Sequence, residues 1–225
     1  RRYVPFVPSH PARRLSVAVV GGPDGPASHA AAGLRRLGVQ VSELAPADRA
    51  HLTAALGELD ALDLVVWAPS PGASALPTPL LEQDEAQWDA GALQPLREAV
   101  ACFQAAEQVL ANIGAIVALL PTIAMNGAAG LASWSTASEG LRSLVKVASR
   151  EFSKRGITVN AVTLPAAVLA GSATSLNRPG LPVATLPIPA DAGDMAGILA
   201  ALAAPPWTSV TGMTISVDGG VWVPA

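Results

Sequence analysis

Charge is scarce in this chain. Only 14% of its 225 residues are Asp, Glu, Lys or Arg, and 14 basic against 17 acidic residues leave a formal net charge of −3. No run of Lys or Arg is present, and a phosphate backbone needs a concentrated basic patch, so nucleic acid is excluded as a main partner. Cysteine occurs once, as Cys102, which excludes an internal disulfide and fits a reducing cytoplasm. Cys102 sits inside a helical pattern between Ala101 and Phe103, so a buried structural thiol is expected there rather than a nucleophile. The three histidines, His10, His29 and His51, are scattered, with no cysteine or acidic partner at ligand spacing, and no metal site is expected. Long apolar runs are missing too. The longest, Ile113 to Leu120, is far short of the ~20 residues that span a bilayer, so no membrane span is expected. Arg1 to Pro8 has no apolar signal-peptide core, and residues 1–14 are read as an arm, laid over a neighbour.

What is present is apolar material: 51% of the chain, a proportion expected when strands are covered on both faces by helices. The pattern alternates. Leu15 to Val20, Val39 to Leu44, Leu64 to Ala68, Ala115 to Leu120, Thr158 to Leu164 and Met213 to Val217 read as strands. Between them Ala27 to Leu37, Asp48 to Leu59, Glu85 to Trp88, Leu96 to Leu110, Ala132 to Lys154 and Met195 to Ala203 read as helices. Pro69 to Pro79 is a loop, Glu82 to Glu85 a solvated acidic helix start, and Ala167 to Ala190 has no clear period. The expected fold is a single α/β domain over residues 1–225, a Rossmann-like doubly wound parallel sheet in three α/β/α layers.

Three stretches carry more specific information. They are Ala132-Ser133-Trp134-Ser135-Thr136-Ala137-Ser138-Glu139-Gly140, then Gly156-Ile157-Thr158-Val159-Asn160-Ala161, then Val210-Thr211-Gly212 through Asp218-Gly219-Gly220. In order and spacing they resemble the classical short-chain dehydrogenase/reductase family, and the resemblance runs from about Val17 to Val223. It implies a catalytic Tyr with a Lys four residues later, a Ser that orients a carbonyl, and an Asn that supports a water relay. Here the matching places hold Trp134, Ser138, Pro121 and, near the Asn position, Pro95. An indole N–H does not ionise at working pH, and Ser138 carries no positive charge. Thr122 is the only hydroxyl near the missing Ser, and Trp134 is expected to fill the volume of a vacated site.

The cofactor turn is altered in the same way. The family's Gly-x-x-x-Gly-x-Gly lets the backbone approach a pyrophosphate, whereas Gly22 is followed here by Pro26 and Ser28 on the other two glycine places. Proline removes N–H donors, and Asp24 would repel a phosphate. The interval from Leu44 to Asp63 is too short for the family's usual helix, strand and helix, so one edge helix-strand unit is expected to be missing. Ala184 to Ala190 lies where the family places its substrate lid and is too short for lid helices, so an open or collapsed pocket is expected. The resemblance therefore implies a chain without catalytic residues, cofactor or metal of its own. Its long helices Leu96–Leu110 and Ala132–Lys154 match those that build the family's four-helix subunit interface, and its final strand matches a second contact. The leading expectation is a non-catalytic subunit of a hetero-oligomeric oxidoreductase, paired with an active paralogue that holds NAD(P) and acts on a hydroxyacyl or ketoacyl thioester. Two alternatives stay open: a homo-oligomeric ligand-binding or regulatory module, and a divergent NAD(P)-dependent oxidoreductase that uses Thr122.

Overall fold

The computed structural model describes residues 15–171, 183–205 and 207–223. The arm expected at residues 1–14, and residues 172–182 of the aperiodic stretch, lie outside the described residues. Six parallel strands form one sheet: β1 (Ser16–Val20), β2 (Gln40–Leu44), β3 (Leu64–Trp67), β4 (Ala115–Pro121), β5 (Thr158–Leu164) and β6 (Thr214–Ser216). Their order is β2-β1-β3-β4-β5-β6. This is the Rossmann-like α/β sheet expected from the alternation.

Side chains on a strand point alternately to opposite faces, and the core divides accordingly. Val17 and Val19, Leu64 and Val66, and Val117 and Leu119 pack on one face, beneath α1 (Pro26–Arg36) and α8 (Ala196–Leu202). Ala18 and Val20, Val65 and Trp67, and Ile116 and Leu120 pack on the other. That second face is covered by α2 (Arg49–Gly57), α4 (Gln94–Val109) and the inner part of α6 (Ala132–Glu151). Strands β3, β4 and β5 are buried throughout, which is why they read as unbroken apolar runs rather than alternating ones.

The shortened interval has a direct structural counterpart. Between Leu44 and Leu64 the chain forms α2 and no strand, so β2 is the sheet's edge. Helix α2 starts on Asp48, whose carboxylate accepts the His51 N–H at 3.0 Å, and it buries Leu52 and Leu56 in the layer shared with α4.

One helix end and two short helices differ from the sequence reading. The helical region expected to start at Glu85 to Trp88 and continue from Leu96 is one run: α3 (Glu85–Trp88) passes through a π-turn at Asp89–Leu93 into α4. Pro95 has no N–H and its ring crowds the turn before it, and the Gln94 N–H reaches back to Asp89 O, so the ladder widens instead of stopping. The long helix ends at Glu151, with a 3-10 turn at Phe152–Arg155. Two short helices, α5 (Ile123–Asn126) and α7 (Ala166–Ala170), are too brief to leave a period in the sequence.

Because β1 lies between β2 and β3, the chain reverses direction across the sheet at β1. The crevice above the C-terminal ends of β1 and β3 is where an open α/β sheet presents its ligand site. Helix α1 is seated there by two glycines. A Cβ on Gly33 would lie 2.2 Å from the Gly193 carbonyl oxygen, so only glycine permits this contact between backbones.

Candidate active site

The turn after β1 is closed on itself. Gly25, with φ 135°, adopts a conformation that L side chains rarely take, and its N–H donates to Ser28 Oγ at 3.2 Å while that hydroxyl donates to Gly25 O at 3.0 Å. Ser28 thus consumes a backbone donor that a glycine there would leave free. Pro26 is buried at the first helical position and has no N–H to offer. The loop after β3 presses on the same turn: Ser70 Oγ donates to Asp24 O at 3.1 Å, and a Cβ on Gly22 would come within 3.0 Å of Ser70 Oγ. A cavity of about 340 Å³ adjoins the turn, bordered by Asp24, Pro26, His29, Leu76, Val168 and Gly171, with no lysine or arginine among the described residues of its lining. Glu43, beside the place where a ribose would be read, is engaged by Arg35 at 2.6 Å. A pyrophosphate needs several convergent N–H donors or cations, and these residues do not fit one.

The structure brings Pro95, Pro121, Trp134 and Ser138 together around a single void of about 20 Å³, room for roughly one water. Trp134 is 7% exposed and packs in the core cluster that contains Leu119, Ile123, Leu131 and Leu169, so its indole occupies the centre of the site. Ser138 is buried one turn further along α6, and its hydroxyl donates to the Trp134 carbonyl at 2.7 Å, which satisfies it within the helix. Pro121 ends β4 opposite Leu164.

Thr122, the candidate substitute hydroxyl, is 1% exposed and donates to Asp218 Oδ2 at 3.1 Å. The Asp218 carboxylate also accepts the N–H groups of Gly220 at 3.0 Å and Trp222 at 3.2 Å. Asp218 therefore ties the end of β4 to the C-terminal turn, and Thr122 is a structural tie rather than an active-site hydroxyl. This link joins residues 96 apart. Its sequence signal, Thr after a strand and Asp before Gly-Gly, gives no hint that the two meet. The described part of the lid region is fastened to the same turn, with the Thr185 and Leu186 N–H groups donating to Gly219 O at 2.8 and 2.9 Å.

Among the described residues no tyrosine or lysine borders this void. The chain's one tyrosine is Tyr3, outside the described residues, and its lysines, Lys146 and Lys154, are both exposed and border none of this void. Cys102 is fully buried on α4, and desolvation pushes its thiol up to about 12, which keeps it protonated and unreactive near neutrality. Among the described residues no three His, Cys, Asp or Glu side chains group to hold a metal, and no helix is long and apolar enough to cross a membrane. His51 lies at the start of α2 beside Asp48, with Nδ1 2.7 Å from the carboxylate.

Known proteins share this fold. The family described as enoyl-(acyl carrier protein) reductase matches residues 27–222. A short-chain dehydrogenase/reductase from Botryotinia fuckeliana is 31% identical over 150 residues, covering 63% of this chain and 58% of that protein. The 3-oxoacyl-(acyl-carrier-protein) reductase of Staphylococcus epidermidis is 29% identical over 150 residues, covering 64% and 61%. In both relatives the matched stretch is less than two thirds of their own length. A blue fluorescent protein from a metagenomic library, solved in complex with NADPH, superposes with a TM-score of 0.73 at 22% identity, covering 92% of this chain and 98% of that one. With the sheet order, the clustered site positions and a family match across most of its length, the chain belongs to the classical short-chain dehydrogenase/reductase family.

Proposed function

We propose that this chain is a non-catalytic member of its family that works by pairing with an active relative. The observation that carries this reading is Trp134, whose indole fills the space where the family holds its proton donor and leaves only about 20 Å³. The commitment of Ser138 to its own helix and of Thr122 to Asp218 supports it, because neither hydroxyl is available to a substrate. The closed turn at Gly22, Pro26 and Ser28 supports the absence of NAD(P) from this chain, and the cofactor belongs to the partner.

Pairing is supported by apolar side chains left exposed on the two interface helices, Val100 on α4 and Val147 on α6, with Leu93 just before α4. Helices α4 and α6 are in direct contact, with Leu96 packed so closely on Gly140 that a Cβ there would sit 2.8 Å from its Cδ2. The edge at β6 offers a second apolar surface, an opening of about 310 Å³ bordered by Ile198, Leu202, Trp207 and Ile215. In view of the Staphylococcus relative, the partner's substrate class is a 3-oxoacyl or 3-hydroxyacyl thioester, and a cytoplasmic complex is supported by the single cysteine, which fits a reducing compartment.

The test is co-expression with an intact relative from the same genome, followed by mass determination of the purified species and titration with NADH and NADPH. A stable mixed complex is expected, with bound cofactor equal to the number of active subunits, and Val147→Asp is expected to dissociate it. Stoichiometric NAD(P)H binding by the isolated chain would overturn the reading.

A further inference from the structure

Among the described residues the sheet has two edges, and they are not alike. At one, β6 is three residues long, too short to offer much of a template for pairing. At the other, β2 runs for five residues in unbroken register with β1 and contains no proline or lysine. In a parallel ladder alternate residues turn both main-chain groups to the same neighbour. The Gln40 N–H donates to Leu15 O and the Gly21 N–H donates to Leu44 O, so Gln40, Ser42 and Leu44 face β1. Val41 and Glu43 therefore turn their N–H and C=O groups outward, where no described strand meets them.

One side chain reaches across this edge. Arg35, in the last turn of α1, donates through Nη2 to Val41 O at 3.1 Å and through Nη1 to the Glu43 carboxylate at 2.6 Å. Val41 packs against the core beneath α1, and Glu43, two residues on, lies on the same face of the strand, within reach of the planar guanidinium fork. As a stabilising contact the ion pair counts for little, because the side chains are 48% and 36% exposed and water screens them. Its position matters more. Two copies of β2 related by a twofold axis run antiparallel, with Ser42 of one opposite Ser42 of the other and each Val41 opposite the other copy's Glu43. In each of those pairs the Val41 N–H must donate to Glu43 O and the Glu43 N–H to Val41 O. Arg35 already holds the Val41 O in both copies.

We propose that Arg35 closes the edge of β2 to a second copy of this chain. With the clip in place half of the main-chain bonds of an edge-to-edge contact lack a free acceptor, and a charged group stands where the second strand would approach. Without it β2 is a flat five-residue template with all its outward groups free. The contact so prevented involves neither Val100 nor Val147 nor the opening beside β6, so it is separate from the surfaces assigned to pairing.

The experiment compares the full chain with Arg35→Met, which keeps the aliphatic stem and removes the guanidinium. Sedimentation equilibrium over a range of concentrations gives the self-association constant, and the isotope-labelled protein gives amide exchange. Arg35→Met is expected to self-associate at least about tenfold more tightly than the parent, with the Val41 and Glu43 N–H groups exchanging more slowly as concentration rises. Adding Ser42→Lys sets like charges directly opposite each other in the twofold pair and should restore the parent's behaviour. Arg49→Met, which removes an exposed arginine at the start of α2, should change nothing. Should Arg35→Met fail to fold, Arg35→Lys is expected to show a smaller rise, because an ammonium lacks the fork that grips both acceptors. The proposal is overturned if Arg35→Met keeps the parent's mass at every concentration, if Arg49→Met associates equally, if the two amides gain no protection, or if association survives Ser42→Lys. No partner or cofactor is needed, so the result stands apart from the pairing hypothesis.

Discussion

Two glycine-rich turns follow parallel strands at the same end of this sheet, one after β1 and one after β6, and they have come to serve opposite purposes. At Gly22–Ser28 the Gly25 N–H is taken up by Ser28, Pro26 offers no N–H, and Ser70 closes on Asp24 O. At Asp218–Trp222 one carboxylate gathers two N–H groups of its own turn and one hydroxyl from the end of β4. The first turn spends Ser28 on its own backbone. The second, required by the fold, retains its polar contacts. A fold of this kind does not need its active site in order to stand, and the vacated volume can be used for packing.

The sharpest way to break that contrast is to empty the site again. Trp134→Ala removes a buried indole from the centre of the core and is expected to destabilise the chain by about 3–5 kcal/mol, read from urea unfolding. If the loss is well under about 1 kcal/mol, Trp134 is not a packing element and the filled-site reading fails.

The next largest effect is expected at the second turn. Asp218→Ala leaves one buried and two half-buried donors without an acceptor and should cost about 2–3 kcal/mol, with Thr122→Val costing about 1. A double-mutant cycle should return a coupling of about 1 kcal/mol between the two. Additive losses would mean that the β4 tie contributes nothing beyond local turn geometry.

A third prediction uses pH and the layer beneath α4. The Cys102 thiol is raised from 9.0 to about 12 by burial, so the folded state holds its proton through a range in which the unfolded chain has lost it. Stability is therefore unaffected below about pH 9 and falls as pH rises from there toward 12, at up to about 1.4 kcal/mol per pH unit. Comparing Cys102→Ala with the parent isolates this slope, and identical alkaline profiles would show that the thiol is not shielded as its burial implies.

Much of this was legible beforehand, for reasons that can be named. Strands β3, β4 and β5 are buried on both faces and stand out as apolar blocks between turn residues. The positions Pro95, Pro121, Trp134 and Ser138 came from the family resemblance, and they line one void. What escaped was contact between distant segments. Thr122 resembled a spare hydroxyl because Asp218 is 96 residues away, and Gln83 looked like part of a solvated helix start although Ser133, its partner, lies 50 residues on. The helical run through Pro95 reads as continuous, but the π-turn that absorbs the proline leaves no mark on composition.

The smallest expected effect tests the first turn at its far edge. Glu43 lies at the end of β2, near where a ribose would be read, and its carboxylate is paired with Arg35 at 2.6 Å on a surface where both side chains are more than a third exposed. Such a pair is worth roughly 0–1 kcal/mol, so Glu43→Gln should leave stability almost unchanged at moderate salt. In a functioning cofactor site the same change would alter preference between NADH and NADPH. Here it should leave the binding of both undetectable, because the obstacle lies at the turn, where Pro26 offers no donor and Ser28 has taken another. Cofactor binding that appears in Glu43→Gln would move that obstacle to the edge strand, and the turn after β1 would have to be regarded as competent.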